Sequence, residues 1–111
     1  MQPVLVIRDE RFKDHLEKIP HLESLRRIRA IHQALNDPSI RGKWAEPKPR
    51  HALNEEFSWV HTADYIGRVA RSAGRPLTSF DFDTQATENS YDVARSAAGG
   101  VFSLLDAIWA R

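Results

Sequence analysis

The stretch Ser90–Trp109, with the sequence SYDVARSAAGGVFSLLDAIW, is the most informative part of the chain for the fold. Its apolar residues recur at intervals of three and four, which predicts a long amphipathic helix. The residues on the predicted packing face are Val93, Ala97, Val101, Leu104 and Ile108. Gly99 and Gly100 lie in the interior of this helix, where each costs about 1 kcal/mol relative to alanine. The pair therefore predicts that another backbone segment lies close to the helix.

Two further helices are expected earlier in the chain. Apolar residues spaced three and four apart indicate a helix between Glu23 and Leu35. These residues are Leu25, Ile28, Ile31 and Leu35. Thr62 is a good N-cap residue for a second helix, which Gly74 and Pro76 would end.

The N-terminal region predicts one strand. Residues 4–7 form a continuous apolar run rich in β-branched residues, which is typical of a strand buried on both faces. Residues 42–49 contain Pro47 and Pro49 among alternating charges, and they indicate an extended surface loop. The expected fold class is therefore α/β but mainly helical, with one short N-terminal strand and about three helices in a single domain of residues 1–111.

Four short motifs follow one another in the second half of the chain. They are VHTADYI at residues 60–66, FDFDT at residues 80–84, SYDVA at residues 90–94 and AAGGV at residues 97–101. In this order and at these intervals, they resemble the segment that leads into the catalytic core of the histone deacetylase and acetylpolyamine amidohydrolase family, which includes acetoin utilisation protein-like members.

The first half of the chain carries a further match to this family. His21, Glu23 and Arg27 resemble the family's His-Pro-Glu-x-Pro-x-Arg stretch, with Leu22 and Leu25 at the positions of its two prolines. The resemblance implies that the chain corresponds to the first part of the arginase/deacetylase-type fold. The residues that it marks as structural motif positions are His21, Glu23, Arg27, His61, Tyr65, Gly99 and Gly100.

The resemblance also implies an activity for the complete family enzyme, which is zinc-dependent hydrolysis of the acetyl amide in acetyl-lysine or acetylpolyamines. In the family, the catalytic histidine pair and the zinc ligands come later than the segment matched here. We therefore expect this chain to be non-catalytic as given, with no catalytic residue, no metal site and no cofactor of its own. Asp83 best matches an acidic residue at the rim of the family's substrate pocket, and Asp81 is the second candidate.

The residues themselves favour modest roles for these candidates. Asp81 and Asp83 do not fit a calcium loop, and capping and solvating a turn is the more frequent role of such carboxylates. The five histidines form no metal-binding pair, and His61 is expected to orient the entrance of a helix.

Composition limits the function classes further. The chain has 111 residues, 41% hydrophobic and 28% charged, and no cysteine, which suits a single globular domain in a reducing cytoplasm. No apolar run is long enough to indicate export or membrane insertion. Residues 8–50 hold 11 Lys and Arg against 7 Asp and Glu, whereas residues 51–111 hold 5 against 8. This asymmetry favours association between copies.

These features lead to one main hypothesis and two alternatives. The main hypothesis is a non-catalytic N-terminal deacetylase-like domain, either a fragment or a small self-associating protein, that forms a homodimer through its first strand and last helix. The strand at residues 4–7 is expected to have few partners within the chain, which would leave its edges open. The first alternative is a module that binds another protein. Nucleic-acid binding through the basic first half is the weaker alternative, because acidic residues interrupt the positive charge.

Overall fold

The computed structural model describes residues 2–21 and 24–111, and this part of the chain forms four α-helices and four short strands. The helices are α1 (Arg26–Ala34), α2 (Asn54–Phe57), α3 (Ala63–Ala70) and α4 (Ser90–Trp109), and a 3-10 helix spans Glu10–Asp14. The strands are β1 (Val4–Leu5), β2 (Trp44–Ala45), β3 (Thr78–Asp81) and β4 (Thr84–Ala86). The predicted α/β, mainly helical class is confirmed, although the strands are more numerous than expected.

Helix α4 spans 20 residues and has the predicted bounds, but the predicted packing face is wrong in part, since Val101 is 56% and Ile108 is 50% exposed. The buried residues of this helix are instead small, and they are Ser90, Ser96, Gly99, Gly100 and Ser103. The close backbone approach expected from the glycine pair lies at Gly99. A Cβ atom there would overlap the carbonyl oxygen of Arg50 and would lie 2.7 Å from the backbone nitrogen of Ala52. The backbone N–H of Ala52 donates a hydrogen bond to the carbonyl oxygen of Arg95, at 2.9 Å. Residues 50–52 therefore run directly across α4, in contact with its backbone.

The sequence also predicted helices α1 and α3, although α3 ends at Ala70, four residues before Gly74. Helix α1 lies within the predicted range, and helix α3 follows Thr62, whose hydroxyl oxygen accepts a hydrogen bond from the backbone N–H of Tyr65 at 3.2 Å. This bond satisfies one of the N–H groups that a helix start leaves without an intrahelical partner.

The N-terminal strand differs from the prediction. β1 pairs in parallel with β2, Val4 opposite Trp44, so residues 42–49 are more than an extended loop and the strand has a partner within the chain. Val4 is 68% exposed, so the expectation of a strand buried on both faces is also wrong. The indole N–H of Trp44 donates to the carbonyl oxygen of Leu35 at 3.1 Å, which ties β2 to the end of α1. This pairing depends on contacts between residues about 40 positions apart, which no local pattern reveals.

An antiparallel hairpin of β3 and β4 follows α3, and it was not predicted as strands. Along β3 the side chains alternate between half-buried and exposed, as in a strand with one covered face. The register is irregular between Ser79 and Asp81, and the chain reverses at Phe82 and Asp83. Asp81 and Asp83 lie in this segment, and aspartate is uncommon in strands. The alternation of the hairpin was therefore not recognised in the sequence.

An ion pair between the buried Glu56 and Arg50, whose side chain is 37% exposed, fixes the segment that crosses α4. The carboxylate of Glu56 accepts hydrogen bonds from the two terminal nitrogens of the Arg50 guanidinium, at 2.7 and 2.6 Å. It also accepts one from the backbone N–H of Leu53, at 2.7 Å. The Arg50 hydrogen bonds are the main reason why the pKa of Glu56 falls to about 2, and the Leu53 N–H lowers it further. The Arg50 guanidinium carbon also lies 5.1 Å from the centre of the Phe102 ring on α4.

We expect Gly99→Ala to lower the free energy of unfolding by about 1–3 kcal/mol, because the added methyl group has no room against residues 50–52. Gly67→Ala in α3 is the control, since its Cβ would meet only the flexible end of Arg71, at 3.2 Å. That control should be neutral or stabilising by up to about 1 kcal/mol, through helix propensity. Urea unfolding measures both variants, and a Gly99→Ala protein as stable as the control would contradict the crossing at α4.

Glu56→Gln is expected to destabilise the chain at neutral pH. The folded-state pKa of Glu56 is lower than its ordinary value of 4.5, so the ionised carboxylate stabilises the fold above about pH 4.5. That stabilisation is lost as the pH falls towards about 2, and the gap between the wild type and Glu56→Gln should close over the same range. Urea unfolding at a series of pH values tests this, with the exposed Glu55→Gln as the control. A gap that does not change with pH would contradict it.

Candidate functional site

Both acidic candidates lie at the turn between β3 and β4. The side chain of Asp81, the last residue of β3, forms a hydrogen bond within this turn. One Asp81 carboxylate oxygen accepts a hydrogen bond from the backbone N–H of Asp83 at 2.8 Å. This bond, and then one from the Thr84 side chain, lower the pKa of Asp81 below its ordinary value. The side-chain amide of Gln85 donates to the carbonyl oxygens of Asp81 and Phe82, at 3.3 and 3.1 Å. The carboxylate of Asp81 therefore serves the turn itself.

Asp83 stands at the tip of the turn, and its side chain is 70% exposed. Phe82 beside it is 98% exposed. The tip thus presents one carboxylate and one aromatic ring to solvent. A carboxylate in this position can accept hydrogen bonds from N–H groups of a bound molecule.

The structure brings His21 to this turn, although 62 positions separate it from Asp83. The imidazole Nε2 lies 3.1 Å from the carbonyl oxygen of Asp83 and 3.6 Å from its carboxylate Oδ1. Of the other two residues in the same motif, Arg27 lies in the first turn of α1, whereas Glu23 is outside the described residues. The resemblance marked His21 and Asp83 separately, and only the tertiary structure shows that they are in contact.

Helix α3 supports the hairpin from the other side. Arg68 donates to the carbonyl oxygen of Phe80 at 3.2 Å, and its guanidinium carbon lies 5.1 Å from the centre of the Phe80 ring. At the start of α3 the rings of His61 and Tyr65 lie 5.1 Å apart, centre to centre, and are tilted by 41°. These two rings line an apolar groove together with Phe57, Ile66, Val69, Tyr91 and Ala94.

A polar cluster between the end of β4 and the start of α4 was not predicted from the sequence. His15 Nδ1 lies 2.7 Å from the Ser90 hydroxyl oxygen, which also accepts a hydrogen bond from the backbone N–H of Thr87 at 2.8 Å. The Thr87 hydroxyl oxygen accepts one from the backbone N–H of Leu16, at 3.3 Å. Burial lowers the pKa of His15, and the nearby His21 adds to the effect. The only part of this cluster with a local sequence pattern is Thr87 followed three residues later by Ser90. That pattern gives no indication that the distant His15 is in contact with Ser90.

The zinc that the family resemblance assigns to a complete enzyme does not fit the residues at hand. Within residues 2–21 and 24–111, no three His, Cys, Asp or Glu side chains are grouped so that they could hold a metal ion. No helix in the same two ranges is both long and apolar enough to cross a bilayer.

Comparison with known proteins places these features in a family. The family model of the histone deacetylase domain matches residues 21–111. A "Probable deacetylase" of Methanothermobacter thermautotrophicus is 32% identical over 80 residues, which cover 72% of this chain and 24% of that protein. The crystal structure of the HDA15 HD domain is similar with a TM-score of 0.76 and 30% identity, over 88% of this chain and 29% of that one. The chain thus spans about a quarter of the length of these relatives. It carries the motif residues and the hairpin in one continuous match, and it belongs to the histone deacetylase family.

Proposed function

We propose that the chain supplies the substrate-rim part of a deacetylase-type fold and that Asp83 is its recognition group. In this proposal the Asp83 carboxylate accepts hydrogen bonds from backbone N–H groups on either side of an acetylated lysine. The observation that carries the proposal is the exposed carboxylate at the tip of a turn that Asp81, Gln85 and His21 hold in place. A turn that is ordered before binding loses less conformational entropy when the ligand arrives.

The proposed role of the chain by itself is binding rather than hydrolysis. Accepting hydrogen bonds from a peptide backbone requires only a well-placed carboxylate, whereas cleaving an amide also requires an activated water molecule and a group that stabilises the developing oxyanion. The turn provides the first requirement. Hydrolysis is therefore not proposed for the chain by itself, and the cytoplasm is the proposed location, which suits a cysteine-free sequence.

Self-association is a second proposed property, and the outer face of α4 favours it. Four large apolar residues on this helix are at least half exposed, and we name them the α4 face. They are Val101 at 56%, Leu105 at 50%, Ile108 at 50% and Trp109 at 88%. Covering apolar surface of this kind lowers the free energy of the protein. A closed two-fold dimer is the commonest way for a small protein to cover it. We propose a homodimer in which the α4 face and the neighbouring β1 lie at or near the interface.

Asp83→Asn should weaken the binding of an acetyl-lysine peptide by about tenfold or more, since a hydrogen bond to a charged acceptor contributes about 1.5–3 kcal/mol. NMR titration of the labelled chain measures this, and the shifts should centre on residues 81–84. Asp64→Asn is the matched control, because Asp64 is an exposed carboxylate on α3. A second probe, the same peptide methylated on the backbone nitrogens that flank the acetyl-lysine, should bind as weakly to the wild type as the normal peptide binds to Asp83→Asn.

Equal binding by Asp83→Asn and the wild type would contradict the recognition role. Zinc-dependent release of acetate by the purified chain, surviving a second purification, would contradict the restriction to binding.

Light scattering should find a dimer at concentrations of tens of micromolar. Leu105→Lys is expected to raise the dissociation constant at least about tenfold, because it places a charge in an apolar contact. Arg29→Glu, at an exposed position on α1, is the control and should leave the dissociation constant within about threefold. A wild-type chain that stays monomeric at these concentrations would rule out the dimer.

A further inference from the structure

In the contact between His21 and Asp83, the donor and the acceptor of the hydrogen bond can be assigned. The carbonyl oxygen of Asp83 can only accept a hydrogen bond, so the His21 Nε2 at 3.1 Å must carry a proton and donate it. The His21 side chain is only 15% exposed, whereas that of Asp83 is 70% exposed. A largely buried ring therefore holds the backbone of a residue whose carboxylate faces solvent.

Asp83 is held on both of its backbone polar groups. Its N–H donates to Asp81 at 2.8 Å, and its carbonyl oxygen accepts from His21 at 3.1 Å. The first of these bonds is local and spans two residues, whereas the second joins the turn to a distant segment of the chain. Of these two bonds, the second is the one that relates the tip of the turn to a distant part of the chain.

The segment that carries His21 is itself anchored. Leu16 is 6% exposed and has a φ of 54°, in the left-handed region that a leucine adopts only when its surroundings enforce it. Its N–H bonds to Thr87, and the preceding His15 contacts Ser90. Thr87 directly follows β4, and Ser90 begins α4. One end of the His21 segment is thus fixed just beyond the hairpin that the ring of His21 contacts.

We propose that His21 is a positioning residue for the Asp83 recognition group, through a hydrogen bond from its Nε2 to the Asp83 carbonyl oxygen. This inference rests on the proposed function of Asp83. His21 does not touch the substrate; it keeps the turn in the orientation in which the carboxylate meets the substrate N–H groups. Without this bond, Asp83 can occupy several orientations. Its conformational entropy is then lost when the ligand binds, which weakens binding.

The test compares two substitutions of similar size. His21→Leu fills the largely buried position with an apolar side chain and removes the donor, whereas His21→Gln offers an amide N–H at a reach close to that of Nε2. Hydrogen exchange of the Asp83 and Thr84 amides reports the order of the turn without any ligand. NMR titration with the acetyl-lysine peptide reports recognition on the same samples.

His21→Leu should speed exchange at the turn by about two- to tenfold, as expected for one hydrogen bond, and weaken peptide binding by a similar factor. His21→Gln should recover most of both effects. Faster exchange with unchanged binding, or no change in either, would overturn the positioning role while Asp83→Asn still weakens binding and the proposed function stands. If Asp83→Asn leaves binding unchanged, the proposed function fails, and the positioning role in recognition fails with it. The exchange data would still show whether the bond orders the turn.

Discussion

The crossing of residues 50–52 over α4 at Gly99 is the constraint on which the rest of the structure depends. Two backbones can lie this close only where neither carries a side chain between them. The crossing places Arg50 over Phe102 and lets it reach Glu56, whose carboxylate in turn accepts from the N–H of Leu53 just before α2. The start of α2 is thus tied to a crossing that one glycine permits, in a helix where glycine is locally unfavourable.

A second set of interactions links the start of α4 to the candidate site, and these interactions are polar. Thr87 and Ser90 bind Leu16 and His15, and the same segment then brings His21 to the Asp83 carbonyl group. Hydrogen bonds have directions that apolar contacts lack, so a network of this kind defines the orientation of a turn more closely than packing alone. The recognition carboxylate is therefore oriented by residues that lie far from it in the sequence.

The buried interior is small for a chain of this length. Within residues 2–21 and 24–111, the buried apolar residues are Leu16, Ala52 and Ala86, while the buried polar residues are four serines, Thr87, His32 and the ion-paired Glu56. Large apolar side chains on α4 remain exposed at the same time. Because apolar burial is the main favourable term in folding, a chain with this distribution gains from covering the α4 face with another surface. This physical argument supports the proposed association.

The sequence by itself determined the local features of this protein. The extent of α4 and the Thr62 cap of α3 each depend on residues within a few positions of one another, so a pattern can reveal them. The glycine pair likewise predicted that another backbone lies close, but only the tertiary structure shows that residues 50–52 form it. The order of four short motifs also revealed the family. The tertiary structure decided the pairing of β1 with β2, the hairpin, and the contacts of His15 and His21. The strands are two to four residues long, and their partners or the side chains that fix them can lie tens of positions away. Short elements have too few residues for a period, and a contact between distant residues leaves no trace in either of their local sequences.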